Sequence, residues 1–128
     1  MKVRHTNSEK CARCEHILSK YQVHPELLAF FYAFRAAHPD AHISASGRGE
    51  LEQNEHFEKK VSKAKWGQSP HNYEPVMALD WFRLTQAGGA SFDLPWFREV
   101  MNPMVKKFDK LVHGGDWKFK DWPQVHVS

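Results

Sequence analysis

An apolar stretch in the second half of the chain reads VMALDWFRL over residues 76–84. Its short length and its large apolar side chains are typical of a strand buried in a sheet. Asp80 places a carboxylate in the middle of this strand, and a buried carboxylate must be hydrogen-bonded, paired with a charge or bound to a metal. Asp80 is therefore satisfied either by backbone amides or an arginine, or by a metal ion.

Helical signals precede this strand. Residues 15–20 predict a short helix, and apolar residues recur at helical spacing over residues 26–38. Pro25 fits the first turn of the second helix, and Pro39 cannot continue it. Residues 41–46 alternate in the manner of a strand around Ile43.

The residues after position 84 continue the mixture of elements. Asp93 is a suitable helix cap, and the helix that it begins is predicted to run to about Val112, with Pro103 kinking or splitting it. Residues 117–120 and 124–127 predict two short closing strands. Helices and strands are mixed without a repeating strand–helix–strand order, so we predict an α+β fold with a short antiparallel sheet flanked by helices.

Length and composition indicate one globular domain. The chain has 128 residues, of which 41% are hydrophobic and 26% charged, and this excludes a disordered tail. No apolar run reaches the roughly 18 residues of a membrane helix, and no apolar segment follows Met1–His5, so neither a membrane span nor a signal peptide is expected. The formal net charge is +3, and the basic residues are scattered along the chain. Because they form no basic helix or patch, nucleic-acid binding is not expected.

The only two cysteines form a Cys-x-x-Cys pair, Cys11 and Cys14. A disulfide across so short a loop would add little stability, and a redox role would require a strand-to-helix context that is not evident. A structural zinc would need two more ligands, for which His5, His16 and His24 are near in sequence. Reduced thiols and a structural zinc both remain open. The histidines outside the candidate site are interpreted as surface or capping residues; they are His5, His16, His24, His38, His42 and His56.

A second metal site is suggested by His71, which lies in a polar loop shortly before Asp80. Zinc accepts imidazole nitrogen and carboxylate oxygen, and a catalytic zinc takes three protein ligands and leaves one position for water. These two residues supply two of the three ligands.

The same residues resemble a family motif. SPHNY at residues 69–73 followed by ALD at residues 78–80 resembles the Ser-x-His…Ala-x-Asp motif of zinc peptidoglycan peptidases. That group includes the VanY-like D-Ala-D-Ala carboxypeptidases and the phage L-alanyl-D-glutamate endopeptidases. SGR at residues 46–48 with Gln53, and GDWK at residues 115–118, resemble further segments of the family in the same order. The resemblance covers residues 43–128.

This resemblance implies a role for several residues. His71, Asp80 and His126 would hold a zinc ion, and Asp121 would act as the general base. Arg48 would stabilise the oxyanion or anchor a substrate carboxylate. Substrate-binding roles would fall to Ser69, Tyr73 and Trp117.

The chain departs from the family pattern in two places. The gap between His71 and Asp80 is longer than usual, which a loop can absorb. Gln124 stands where the third ligand is expected, and His126 follows two residues later, on the same face of a strand. We assign His126 as the third ligand, with His113 as the alternative; if neither binds, the chain is an inactive relative.

The resemblance implies a single peptidase domain over residues 1–128, with a helical N-terminal extension over residues 1–40 and a catalytic core over residues 41–128. The expected function is that of a zinc-dependent hydrolase that cuts peptidoglycan stem peptides. The leading activity is an L-alanyl-D-glutamate endopeptidase acting as a phage-type endolysin, a bacteriolytic enzyme that gathers in the host cytoplasm and degrades the cell wall. The alternatives are a D-Ala-D-Ala carboxypeptidase and a non-catalytic zinc-binding module. We expect a monomer with one catalytic zinc, no stable membrane association, and a second, structural zinc if Cys11 and Cys14 bind metal.

Overall fold

Strand β2 lies inside the sheet and confirms the strand predicted at residues 76–84. The computed structural model describes residues 4–8, 10–46, 75–116 and 120–127. Because side chains alternate along a strand, Leu79 and Trp81 point to one face of the sheet, and Asp80 and Phe82 point to the other. We call these the helix face and the site face.

The sheet is antiparallel, as predicted. In chain order its strands are β1 (Ala41–Ala45), β2 (Ala78–Leu84), β3 (Ala90–Ser91), β4 (Leu111–His113) and β5 (Gln124–Val127). The spatial order is β1-β2-β5-β4, and β3 pairs with the last residues of β2. The register shifts in β1 between Ile43 and Ala45, which marks a β-bulge or similar irregularity.

Two helices precede the sheet, as predicted, and the first begins three residues earlier than expected. α1 spans Ala12–Ser19 and α2 spans Pro25–Ala37. His24 caps α2, since its Nδ1 accepts a hydrogen bond from the backbone N–H of Glu26 at 3.1 Å, and Pro25 occupies the first turn. α1 packs against β1, and just after β1 the Ser46 hydroxyl donates to the carbonyl of Ile17 at 2.9 Å.

The main core lies between α2 and the helix face. The fully buried Trp81 side chain meets the rings of Phe30, Phe31 and Phe34 at centroid distances of 5.5, 5.7 and 5.2 Å. Burial of each such ring stabilises the fold by roughly 1.5–3 kcal/mol. The apolar stripe of α2 therefore covers the helix face, and Asp80 lies on the other face of the sheet.

The helix predicted from Asp93 to Val112 is shorter and less regular than expected. It comprises α3 (Leu94–Trp96), a π-helical segment (Phe97–Met101) and α4 (Asn102–Val105). The Asn102 N–H bonds to the carbonyl of Phe97, which widens the turn immediately before Pro103, where an α-helical bond is lost. Pro103 thus interrupts the helix as predicted. The predicted end at Val112 is wrong, because residues 111–113 form β4 and pair with β5.

The described elements establish the α+β fold predicted from the sequence. Among them, no helix is both long enough and apolar enough to cross a bilayer. Of the two predicted closing strands, the one at residues 124–127 is confirmed as β5, and the one at residues 117–120 lies mostly outside the described residues.

Candidate functional site

Asp80 and His126 lie on the same face of the sheet. Asp80 pairs directly with Gln124 across β2 and β5, and Ala78 pairs with His126. Directly opposed residues in an antiparallel pair share a face, and residues two apart on a strand do so too. The carboxylate of Asp80, the amide of Gln124 and the imidazole of His126 therefore all belong to the site face.

This arrangement suits part of a zinc site. A carboxylate oxygen and an imidazole nitrogen are both zinc ligands, whereas an amide is not among the usual ones. Asp80 and His126 occupy diagonal positions about 7–8 Å apart at Cα, within reach of a shared ion through their side chains. Gln124 lies opposite Asp80 and two residues before His126; it is buried and supplies a neutral polar group on the same face.

Asp121 begins the turn that leads into β5. Its N–H donates to the carbonyl of Gly114 at 3.0 Å, and its carbonyl accepts from the N–H of Gln124 at 3.1 Å. The carbonyl of Pro123 accepts from the N–H of Trp81 at 2.8 Å, so the turn is also attached to β2. These bonds fix the backbone of Asp121 at the end of the strand that carries Gln124 and His126.

Gly114 packs so closely against this turn that no side chain fits, because a Cβ atom there would collide with the carbonyl oxygen of Asp121. We expect Gly114→Ala to lower the free energy of unfolding by about 1–3 kcal/mol, as overpacked sites do. Denaturant titration measures this loss. Gly89→Ala is the matched control, since a Cβ at Gly89 meets only the Thr85 hydroxyl at an ordinary 3.6 Å. Equal stabilities of the two variants would contradict the prediction.

His113 lies on the helix face, because it pairs with Val125, which pairs with Leu79. Asn102 Nδ2 donates to its Nδ1 at 2.8 Å, and its Nε2 donates to the carbonyl of Trp122 at 2.6 Å. Both ring nitrogens are thus engaged on the side of the sheet away from Asp80. This geometry favours His126 over His113 as a ligand beside Asp80.

The protonation of His113 couples stability to pH. Burial lowers the pKa of His113 from its ordinary value, because the charged imidazolium loses hydration. In the unfolded chain His113 binds a proton near pH 6.5, whereas in the folded protein it stays neutral to a lower pH. Its contribution to the free energy of unfolding is therefore complete above about pH 6.5 and is lost as the pH falls below that value.

We expect His113→Gln to unfold with a weaker dependence on pH than the wild type between pH 7.5 and 5, because glutamine keeps a polar group without titrating. Thermal melts of both proteins at matched zinc concentration measure the two slopes. The same slope for both would contradict the role given to His113.

Several predicted site residues lie outside the part of the chain that the structure describes. They are Arg48, Ser69, His71, Tyr73 and Trp117. Of the predicted ligands and catalytic groups, the structure describes three. Asp80 lies in β2, Asp121 in the turn before β5, and His126 in β5.

A separate group of metal-binding residues lies near the N-terminus. The ligand atoms of His5, Cys11, Cys14 and His42 all lie within 4.8 Å of one another, and they are suited to a metal ion such as zinc. Both cysteines are free thiols, so they do not form a disulfide. The sequence identified Cys11, Cys14 and, among nearby histidines, His5 for such a site.

The interpretation of His42 as a surface or capping residue is wrong, because its side chain is fully buried on the site face of β1 opposite Phe82. His5 is also more than a surface residue, since its ring packs against those of His42 and Phe82 at 4.9 and 5.0 Å. His16 and His24 do not join the cluster, and His24 is a helix cap as predicted. In the sequence, the position of His42 next to Ile43 in a predicted strand was the signal that could have indicated its burial.

Burial keeps His5, Cys14 and His42 neutral in the absence of a cation. Desolvation is the main cause that lowers the pKa of His5 to about 4 and of His42 to about 3, so both imidazoles keep a lone pair near neutral pH. Desolvation also raises the pKa of Cys14 to about 12, which keeps the thiol protonated. Metal binding here would therefore release the proton of the Cys14 thiol.

The fold resembles that of a known endopeptidase. The crystal structure of the Serratia marcescens L-Ala D-Glu endopeptidase ChiX superposes with a TM-score of 0.73 at 22% sequence identity, over 91% of this chain and 87% of that chain. No protein-family model and no curated protein matches the chain. At this identity the likeness concerns the fold, and it agrees with the resemblance read from the motifs.

Proposed function

We propose that this protein is a zinc-dependent peptidoglycan hydrolase that cleaves the L-alanyl-D-glutamate bond of stem peptides, as a phage-type endolysin. One observation carries the proposal: Asp80 and His126 share one face of the sheet, in a fold like that of an L-Ala D-Glu endopeptidase. The enzyme would gather in the host cytoplasm and act on the cell wall.

The described donors fit the zinc ion that this chemistry requires. Asp80 and His126 would hold it together with His71, which lies outside the described residues. When bound, zinc polarises the scissile carbonyl and lowers the pKa of a water molecule toward about 7. Gln124 lies beside these ligands on the site face, and its amide would hydrogen-bond to a substrate or to His126.

The chain's own residues would then manage the proton and the substrate. Asp121, held at the start of the turn before β5, would accept the proton of the attacking water and pass it to the leaving amine of D-glutamate. Arg48 would pair with a substrate carboxylate or the oxyanion through its guanidinium. Ser69, Tyr73 and Trp117 would line the groove that holds the peptide.

We expect Asp121→Asn to reduce kcat by about 10²–10⁴-fold, which is the usual contribution of a general base. Its bound zinc should stay unchanged, because Asp121 is not assigned as a ligand. Turbidity loss of purified sacculi measures the rate, and elemental analysis measures the zinc. Asp109→Asn is the control, because Asp109 is exposed. Asp116 is less suitable, since its carboxylate accepts a hydrogen bond from Asn102.

One observation favours a second candidate function. Gln124, and not a histidine or a carboxylate, lies directly opposite Asp80. If His126 does not bind zinc, the chain is a non-catalytic module that keeps the fold. A D-Ala-D-Ala carboxypeptidase is the alternative within the same chemistry.

Digestion of purified sacculi followed by mass spectrometry of the muropeptides distinguishes these functions. An L-alanyl-D-glutamate endopeptidase releases stem peptides that begin with D-glutamate and leaves L-alanine on the glycan. Release of free D-alanine would instead identify a carboxypeptidase. Unchanged muropeptides, with a zinc-loaded protein, would overturn the proposal and leave the non-catalytic module.

A further inference from the structure

We propose that His5, Cys11, Cys14 and His42 bind a structural zinc ion that fastens the N-terminal segment to strand β1. This ion is distinct from the one proposed at Asp80 and His126. The inference does not depend on peptidase activity, since it rests on the four side chains and their surroundings.

Three nitrogen–sulfur distances within the cluster match those of a tetrahedral zinc site. His5 Nδ1 lies 3.4 Å from both Cys11 Sγ and Cys14 Sγ, and His42 Nδ1 lies 3.4 Å from Cys14 Sγ. Bonds of about 2.3 Å to sulfur and about 2.0–2.1 Å to nitrogen at tetrahedral angles would separate a nitrogen from a sulfur by about 3.5 Å. Three nitrogen–sulfur pairs already stand at about the separation that one zinc ion would impose, and all four ligand atoms lie within 4.8 Å of one another.

The groups around the cluster orient these ligands. His42 bonds through its other nitrogen, Nε2, to Asn7 Oδ1 at 2.8 Å, which leaves Nδ1 without a proton and directed at the cysteines. A metal-binding histidine almost always has such a partner on its second nitrogen. The backbone N–H of Cys14 donates to Cys11 Sγ at 3.5 Å, and the backbone of Ile43 bonds to the Cys14 sulfur. Amide donors of this kind stabilise thiolates.

Burial makes this site structural and not catalytic. Cys11, Cys14 and His42 are 0–1% exposed, and the four side chains would fill all four positions of a tetrahedral zinc ion. A catalytic zinc keeps one position open for water or substrate, whereas closed Cys₂His₂ sites are structural. The two thiolates would neutralise the charge of the ion, which suits a buried location.

The segment around His5 needs such a fastening. Residues 4 and 6–8 are exposed and bury no apolar side chain of their own. The buried Arg35 holds this segment by donating to the carbonyl of Ser8 at 3.0 Å, and it also donates to the carbonyls of Pro39 and Ala41 at 2.9 and 2.8 Å. Zinc would add a link from His5 through the start of α1 to β1.

The test is zinc content together with cobalt spectroscopy on the whole protein. Elemental analysis should find about two zinc ions per chain in the wild type, and about one in both Cys11→Ser/Cys14→Ser and Asp80→Asn. Cobalt substitution of wild type and of Asp80→Asn should give a thiolate-to-cobalt charge-transfer band and the intense visible bands of tetrahedral cobalt. The cysteine variant should lack the charge-transfer band.

These readouts keep the two metal proposals separate. Wild-type and Asp80→Asn proteins that bind cobalt without a thiolate band would overturn the structural site, even if the cysteine variant fails to fold. A thiolate band with only one zinc per chain, unaffected by Asp80→Asn, would support the structural site and contradict the catalytic one. His16→Gln is the matched histidine control and should leave the band unchanged, because His16 is exposed and outside the cluster.

Discussion

Asp80→Asn is expected to reduce hydrolysis of sacculi by at least about a thousandfold, which corresponds to about 4 kcal/mol of transition-state stabilisation. Asparagine keeps the size of the side chain but removes the negative charge that would bind zinc. Asp80 lies on the site face with His126, so the loss should come from the metal site and not from the packed helix face. Rates from sacculus turbidity, set beside zinc content, measure it.

Asp109→Asn is the matched control for this variant. Asp109 is exposed in the turn after α4, and the same change of charge there should leave both rate and zinc unchanged within about twofold. Thermal melts of the two variants establish whether the fold is kept. An Asp80→Asn protein that still hydrolyses sacculi at the wild-type rate would remove Asp80 from the ligand set.

The elements around Asp80 were predictable because their signals are local. The apolar stretch at residues 76–84 and the stripe of α2 each specify one element by their own spacing, and both are confirmed. Pro25 and His24 at the start of α2 belong to the same class of signal, since capping involves only neighbouring residues.

The end of the helix after Asp93 was not predictable in this way. Lys106 and Lys107 are good helix formers, so nothing local ends the helix at Val105. The strand β4 arises because Leu111 and His113 pair with Val127 and Val125 of β5, and this pairing is set by the whole sheet. Tertiary pairing overrides helix propensity at these residues.

The cluster of His5, Cys11, Cys14 and His42 also depends on tertiary contacts that local sequence does not predict. Cys11 and Cys14 share one helical turn, and their spacing signals a metal site in the sequence. His42 reaches Cys14 across 28 positions of the chain, through the docking of α1 on β1. Spacing along the chain carries no information about such a partner, and only the strand register brings its side chain to the cluster.

The register also clarifies the departure at Gln124. A sequence with glutamine at the expected ligand position leaves open whether His126 shares the face of Asp80 or points to the core. The pairing of Asp80 with Gln124 and of Ala78 with His126 places all of these side chains on one face. The same register places His113 on the opposite face, so the choice between the two histidines depends on the sheet.

Removal of zinc from the cluster of His5, Cys11, Cys14 and His42 is expected to lower the melting temperature by roughly 10–20 °C. A ligand present at about a thousand times its dissociation constant stabilises the folded state by about 4 kcal/mol, and each kcal/mol shifts the melting temperature of a domain of this size by a few degrees. The reason is structural, since the ion would join the N-terminal segment, α1 and β1. Calorimetry with and without a strong chelator measures the shift.

The variants assign this shift to one of the two proposed ions. Asp80→Asn should melt with the full shift on chelation, because it would retain only the ion held by the cysteines and histidines. Cys11→Ser/Cys14→Ser should start at a lower melting temperature and lose only a few degrees more when chelator is added. Because β2 carries both Asp80 and Phe82, whose ring contacts His5 and His42, chelation should also lower the activity of the wild type through both sites. A chelator effect that disappears in Asp80→Asn and persists in the cysteine variant would place the stabilising ion at Asp80 and contradict the role given to the cluster.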